Sequence, residues 1–425
     1  MTARTYNNKV TLLPSEDDSL IRKTELIISA VLRGGVLLSV AVILGGIVYL
    51  YALKFAGNLH SATYPDTLRD LFLGLTKADP LAIIVLGLMI LLATPVVRVG
   101  VSIAAFAIEE DRTYVVITSL VLLILIFSIF GVGDWLGHPG PAAIRDDALR
   151  FFVVVLLSSI FAGLIGALVG LGGGVFIVPI LTLGFHVPFT LAIGASIVSV
   201  IATSSGAAAA YVKDRMTNLR VGMFLEIATT LGAICGALLS TFLDAQVLFI
   251  VFGLVLLISA LPLLTRLGEE WPEGVKNHRW AEKLRLPSTY PDRRTHADVP
   301  YHVAHIKSGF SMMYVAGLMS GLLGIGSGTF KVLAMDTAMR LPMKVSTTTS
   351  NFMIGVTAAA SAGIFFQRGD IDPVIAAPVA LGVLFGATAG AKLLTRMSNI
   401  RIRMVFVPVI ALVALNMLAR GFGWF

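Results

Sequence analysis

The chain has 425 residues, 56% of them hydrophobic and only 13% charged, with a mean hydropathy of +0.88 and a formal charge of +7. Such a composition belongs to a protein whose solvent is lipid, and it excludes a water-soluble chain of two or three domains. The Lys and Arg residues lie mostly in short loops, so the positive charge reflects membrane topology and no nucleic-acid partner is expected.

In chain order, residues 1–25 read as a polar N-terminal tail, and residues 26–130 hold three apolar runs, Leu26–Ala52, Leu81–Val97 and Tyr114–Phe130. Each is close to the ~20 residues that cross a ~30 Å hydrocarbon core. The first is too long for a signal peptide's apolar region and no cleavage site follows it closely, so it is read as a retained span. Arg33 and Arg98, within or beside these runs, are expected to pair with Glu109, Glu110 or Asp111, or to snorkel to a headgroup, with snorkelling favoured. Residues 131–150, rich in Gly, Pro and charge, read as a linker.

The rest of the chain contains one unit twice, in residues 151–265 and 308–425, separated by a polar central loop over 266–307. At a constant offset of 154, Gly163 meets Gly317, Gly170 meets Gly324, Gly172 meets Gly326, Gly174 meets Gly328 and Phe176 meets Phe330. Further on, Pro188 meets Pro342, Ser196 meets Ser350, Thr203 meets Thr357 and Gly232 meets Gly386. Apolar helices match Leu and Ala by chance, but not a run of glycines and a proline in one register, so this is an internal duplication. Each copy reads as a span ending in glycines, a short apolar piece of about ten residues, and three more spans. A helix of that length reaches only about half the bilayer at ~1.5 Å per residue, which predicts a broken or re-entrant half-helix. The expected fold class is therefore an all-α polytopic membrane protein: two repeats of a four-helix unit with half-helices, preceded by three transmembrane helices.

The candidate site follows from these breaks. Irregular backbone at membrane depth survives where protein or water satisfies its polar groups, so Gly172, Gly173 and Gly174 in one copy, and Gly326, Ser327, Gly328 and Thr329 in the other, are expected to line a cavity between the copies. N–H groups opening a half-helix favour an anion; the competing reading is glycines that only let helices pack closely. Lys331 lacks a counterpart and needs an anionic partner, which is substrate, Asp336 or an interfacial position. Thr347, Thr348, Thr349, Ser350 and Asn351 gather polar groups at the start of the next helix, where the first copy has only Ser196; hydroxyls and amides suit oxyanion oxygens. Glu226, whose symmetry mate is Ala380, is a candidate proton-coupling carboxylate or an interfacial one. The Gly324–Lys331 stretch lacks the Gly-Lys-Ser/Thr ending of a phosphate-binding loop, which argues against an ATP-driven pump. The lone cysteine, Cys235, reads as a small core residue and excludes a disulfide framework or multi-cysteine metal site. No catalytic residues, metal or cofactor are expected.

The residues from Gly163 to Pro179 (GLIGALVGLGGGVFIVP), Pro188, the Ala192–Ser196 stretch and their recurrence from Gly317 resemble the TauE/SafE (TSUP) family of sulfite and organosulfonate exporters, over about residues 151–425. The second copy departs from the pattern at Ser327, at Leu333 opposite Pro179, and at Thr348 opposite Gly194. Residues 26–130 resemble a three-span family of unknown function, DUF1634, through Leu32–Leu38 and Gly87–Ile108 followed by Glu109-Glu110-Asp111-Arg112. The resemblance implies a secondary carrier in the cell membrane that exports small sulfur-containing anions such as sulfite, organosulfonates or sulfoacetate, with the N-terminal spans as an accessory or assembly module. Its partners are a small anion and the lipid bilayer, and a homo-oligomer is compatible with the sequence. The alternatives are a non-transporting scaffold and a permease importing another organic anion.

Overall fold

The computed structural model describes residues 16–56, 65, 68–130, 148–169, 173–213, 216–265, 279–292, 297–394 and 411–424. Helix α1 (Glu16–Phe55) starts inside the polar N-terminal stretch and runs on through the first apolar run. The short α2 (Leu68–Thr76) leads to α3 (Pro80–Ile108). Asp79 caps α3, its Oδ1 accepting from the Leu81 N–H at 2.9 Å, and Pro80 occupies the first turn, where a missing N–H costs nothing. Helix α4 (Arg112–Phe130) follows after a three-residue turn and packs against α3.

The duplicated part follows as α5 (Ala148–Val169), α6 (Gly174–Pro179), α7 (Phe189–Lys213), α8 (Leu219–Leu239) and α9 (Ala245–Thr265). After a short α10 (Arg279–Lys283), the second copy gives α11 (Ile306–Leu323), α12 (Gly328–Leu333), α13 (Met343–Gln367) and α14 (Pro373–Leu394), with a last helical piece at Ala411–Gly421. The offset of 154 carries the bounds of α6 onto α12 and of α7 onto α13 without a residue's difference. The half-helices match in detail: a five-residue π-helical turn continues α6 over Ile180–Gly184 and α12 over Ala334–Ala338. Six of the described helices, α1, α3, α4, α8, α11 and α13, are long and apolar enough to cross a membrane.

The two copies are interlocked. Helix α5 packs on α14, and its counterpart α11 packs on α8, so the first helix of each copy lies against the third full helix of the other. Lipid supplies no hydrophobic drive between helices, so close backbone approach must provide the cohesion, and small residues permit it. A Cβ on Gly163 would stand 2.4 Å from the Val383 carbonyl oxygen, and one on Gly317 would stand 2.2 Å from that of Thr229. Gly232 meets the Tyr314 oxygen and Gly386 that of Ile160, again at equivalent places. Many glycines of the repeat therefore pack helices.

The long α13 is buried along nearly its whole length, at the centre of the molecule. Helices α3 and α4 lie directly against it, and α1 and α3 against α7. Ser128 on α4 donates to the Ala360 carbonyl and Gln367 on α13 donates to that of Ile129. The N-terminal three helices are thus built into the same core as the repeats.

The central loop contains structure that its polarity did not suggest. Strands β1 (Ser288–Asp292) and β2 (Ala297–Tyr301) pair antiparallel, with Ser288 opposite Tyr301. Buried Tyr290 and Tyr301 anchor this pair. Asn218, which caps α8 through its Oδ1 and the Val221 N–H, donates from Nδ2 to the Tyr301 hydroxyl at 2.7 Å and the Leu286 carbonyl at 2.9 Å. Burial pushes the Tyr301 phenol up to about 12, so it stays a neutral hydrogen-bonding partner at physiological pH.

Candidate functional site

The two glycine breaks meet inside the fold. Gly173, which precedes α6, has φ +74°, and its counterpart Ser327, which precedes α12, has φ +47°. The left-handed backbone suits glycine and strains a serine, yet the second copy keeps Ser327 there, buried and with no hydrogen-bond partner for its Oγ among the described residues. Ser196 on α7 joins the breaks: its Oγ lies 2.8 Å from the Gly324 carbonyl oxygen and 3.1 Å from that of Gly174, donating its one proton between them. The mate, Ser350 on α13, donates to the Gly328 oxygen at 3.2 Å. These two hydroxyls satisfy backbone of the breaks. Gly326 (φ +71°) and Gly328 are buried in the same place, Thr329 is half-buried on α12, and Gly172 lies outside the described residues.

The polar run on α13 is not gathered into one pocket. Thr348 donates to the Met216 carbonyl at 2.6 Å, and Thr349 accepts from the Asn218 N–H at 3.1 Å, so both fasten α13 to the connection between α7 and α8. The Asn351 backbone carbonyl accepts from Ser204 on α7 at 2.6 Å, and the residue is buried on α13, the helix that also carries Thr357.

Lys331 on α12 is fully buried, and it does not reach an interface. Its Nζ donates to Thr357 Oγ1 on α13, and that hydroxyl donates to Glu226 Oε1 on α8 at 2.7 Å. Thr229 Oγ1 adds a second bond to the same carboxylate oxygen at 3.2 Å, while among the described residues Glu226 Oε2 has no hydrogen-bond partner. The two residues of the duplication that most clearly lack counterparts are therefore joined through one hydroxyl. Ammonium and carboxylate do not touch directly, so each stands in a low-dielectric interior with part of its hydrogen-bonding capacity unspent.

A third charge completes this cluster. Arg98 on α3 is fully buried, its guanidinium carbon 4.1 Å from the centre of the Phe352 ring, and it interacts electrostatically with both Glu226 and Lys331. Among the described residues nothing accepts a hydrogen bond from its Nε, Nη1 or Nη2. The expectation of snorkelling is thus overturned for Arg98: it lies ten residues before the end of α3, about 15 Å along the axis, more than the side chain can bridge. Arg33, by contrast, is exposed on α1. Of the acidic residues proposed as its partners, Glu109 and Asp111 instead take Arg220, at 3.5 and 3.3 Å. Cys235, expected in the core, is exposed on α8. With two cations and one carboxylate, the cluster carries one more positive charge than negative when all three are ionised.

A cavity of about 280 Å³ opens elsewhere, at the turn between α3 and α4, where Asp111, Tyr114, Lys283 and Arg285 contribute to its lining. It lies at the seam between the N-terminal helices and the central loop and contains none of the cluster residues. Among the described residues, no grouping of His, Cys, Asp and Glu is arranged to hold a metal ion.

An all-α polytopic fold with charges sequestered among its helices defines a membrane-embedded protein, and sequence comparison makes the class specific. Residues 155–417 match the family model described as sulfite exporter TauE/SafE, and the chain belongs to that family. Residues 28–130 match a second model, described as a protein of unknown function, DUF1634. A relative from Bacillus subtilis (strain 168), named "Probable membrane transporter protein YunE", is 28% identical over 64% of this chain and 98% of its own length. Another from the same organism, named "Probable membrane transporter protein YdhB", is 26% identical over 61% of this chain and 98% of its own. A "Probable membrane transporter protein" of Xylella fastidiosa (strain 9a5c) is 24% identical, covering 65% and 98%. No solved structure matches. The protein is a multi-pass membrane transporter of the cell membrane.

Proposed function

We propose that the protein is a secondary carrier exporting small sulfur-containing anions such as sulfite, organosulfonates or sulfoacetate, and that the anion is held where α12 and α13 meet, by Lys331 with the backbone and hydroxyls of the glycine breaks. The family's description as sulfite exporters supports the substrate class. The observation that carries the reading is the buried chain Lys331–Thr357–Glu226 between the two repeats. A buried ammonium needs a counter-charge, and here it is shared through a hydroxyl with a carboxylate rather than neutralised by contact.

That sharing suggests how transport and a coupling ion are linked. Substrate anion and the Glu226 carboxylate compete for one ammonium, so a proton arriving on Glu226 frees Lys331 for the substrate and the loss of that proton favours release. One repeat then rocks against the other around the site. The test is purified protein reconstituted in liposomes without ATP and presented with sulfite, thiosulfate, an organosulfonate and a carboxylate. Saturable movement of at least one sulfur anion is expected, with the favoured direction read from the imposed gradients. Folded, inserted protein that moves none of them would make it a scaffold, and preference for the carboxylate would make it a permease of another organic anion.

A further inference from the structure

We infer that Arg98 is an anion-binding residue of the transport site, so that the N-terminal three-helix region completes the site instead of merely accompanying it. The inference rests on the anion-transport reading above and adds a residue outside the 155–417 family match.

The guanidinium carbon sits 4.1 Å from the centre of the Phe352 ring, and Nη2 reaches toward α13, where a Cβ on Gly355 would stand 3.7 Å from it. An aromatic face attracts the charge of the plane but accepts none of the N–H groups that project from its rim. All three nitrogens are buried, and among the described residues none of them is hydrogen-bonded. Glu226 is close enough to interact electrostatically, yet its Oε2 also has no hydrogen bond among these residues. One turn further along α3, on the same face, the Ser102 hydroxyl is likewise fully buried and without a partner among the described residues.

Buried donors are ordinarily satisfied, and a guanidinium more than most, because each unmet N–H forfeits its bonds to water. A fork of parallel N–H groups matches two oxygens of one oxyanion, which a point-like ammonium cannot imitate. The ligand chemistry is therefore a small oxyanion presenting at least two acceptor oxygens, with Arg98 gripping it in two-point fashion and Lys331 supplying the second cation.

Calorimetric titration of the full chain in detergent tests this, with sulfite, methanesulfonate and chloride as probes. Arg98→Gln should weaken sulfite or methanesulfonate binding by about tenfold or more, the size expected for lost charge-assisted hydrogen bonds. Arg98→Lys should recover only part of the loss, and chloride, which offers no second oxygen, should bind weakly to every form. Arg33→Gln, which removes the same charge from an exposed place on α1, should bind as the parent does. Because Arg98→Gln alone leaves Glu226 less compensated and so threatens folding, Arg98→Gln/Glu226→Gln is measured against Glu226→Gln. A loss in the double variant supports direct contact; equal binding shows that Arg98 only balances Glu226 and overturns the inference. If the parent binds an oxyanion and Arg98→Gln binds it equally, this assignment alone falls. If the folded parent binds none of the probes, the anion-transport reading falls and takes the inference with it.

Discussion

Thr357 is asked to serve two charges at once, accepting from Lys331 and donating to Glu226. Thr357→Val should therefore lower thermal stability in detergent by about 1–3 kcal/mol, the cost of leaving buried polar groups unmet. Lys331→Met, which strands the carboxylate, should cost about 3–5 kcal/mol, and Lys331→Met/Glu226→Gln should recover much of that loss. Equal loss in single and double variants would show that the two groups are not energetically linked. Both residues are legible in the sequence as charges in apolar runs without symmetry mates. That they meet is not legible, because Thr357 has a threonine mate in Thr203 and nothing local marks it as a bridge. The depth of Arg98 is not legible from a run that ends at Val97; it follows from α3 continuing for ten residues after Arg98, to Ile108. At the turn before α14, Asp372 caps the helix, its Oδ1 accepting from the Val374 N–H at 2.8 Å, and burial holds its carboxyl above the usual range. A carboxyl raised on folding adds stability below its unfolded value and loses it as pH rises through its folded value. Asp372→Asn keeps a competent cap. Its melting temperature relative to the parent should be most favourable near neutral pH, and the advantage should shrink as the solution is acidified.

At the scale of the element, glycines with the same composition signal divide into two physical kinds. Gly163 and Gly317 sit where a Cβ would strike carbonyl oxygens of the opposite copy, whereas one on Gly45 in α1 or Gly100 in α3 would meet nothing within 4 Å. Gly163→Ala and Gly317→Ala should each force apart an interlocked helix pair and cost about 1–3 kcal/mol, as overpacking does. Gly45→Ala and Gly100→Ala should be neutral or raise helix stability by up to about 1 kcal/mol. Fluorescence-detected size exclusion after graded heating would compare all four. The fixed offset of 154 made the repeated elements and the short half-helices readable. It could not reveal the exchange of partners, in which α5 takes α14 and α11 takes α8, because periodicity says which residues recur and not which copy they touch. The strand pair in the central loop is illegible for a related reason: Tyr301 gains its role only from the Asn218 contact, 83 residues away in the chain.

At the scale of the whole molecule, the three N-terminal helices and the duplicated part share one buried interior. Asp111 at the turn after α3 takes Arg220 from α8 at 3.3 Å and Arg285 from the central loop at 3.9 Å, and Tyr114 donates to the Leu284 carbonyl at 2.7 Å. These contacts close one end of the seam, and those of Ser128 and Gln367 close the other. The expected accessory module thus contributes Arg98 to the buried charge cluster of the repeats. The proposed function requires that an anion be carried past this cluster on Lys331. Its most direct test is the initial rate of sulfite efflux from liposomes carrying equal amounts of folded parent protein or Lys331→Met, without ATP. Saturable efflux is expected for the parent and a rate near that of empty liposomes for the variant; equal rates for the two would show that Lys331 does not carry the anion.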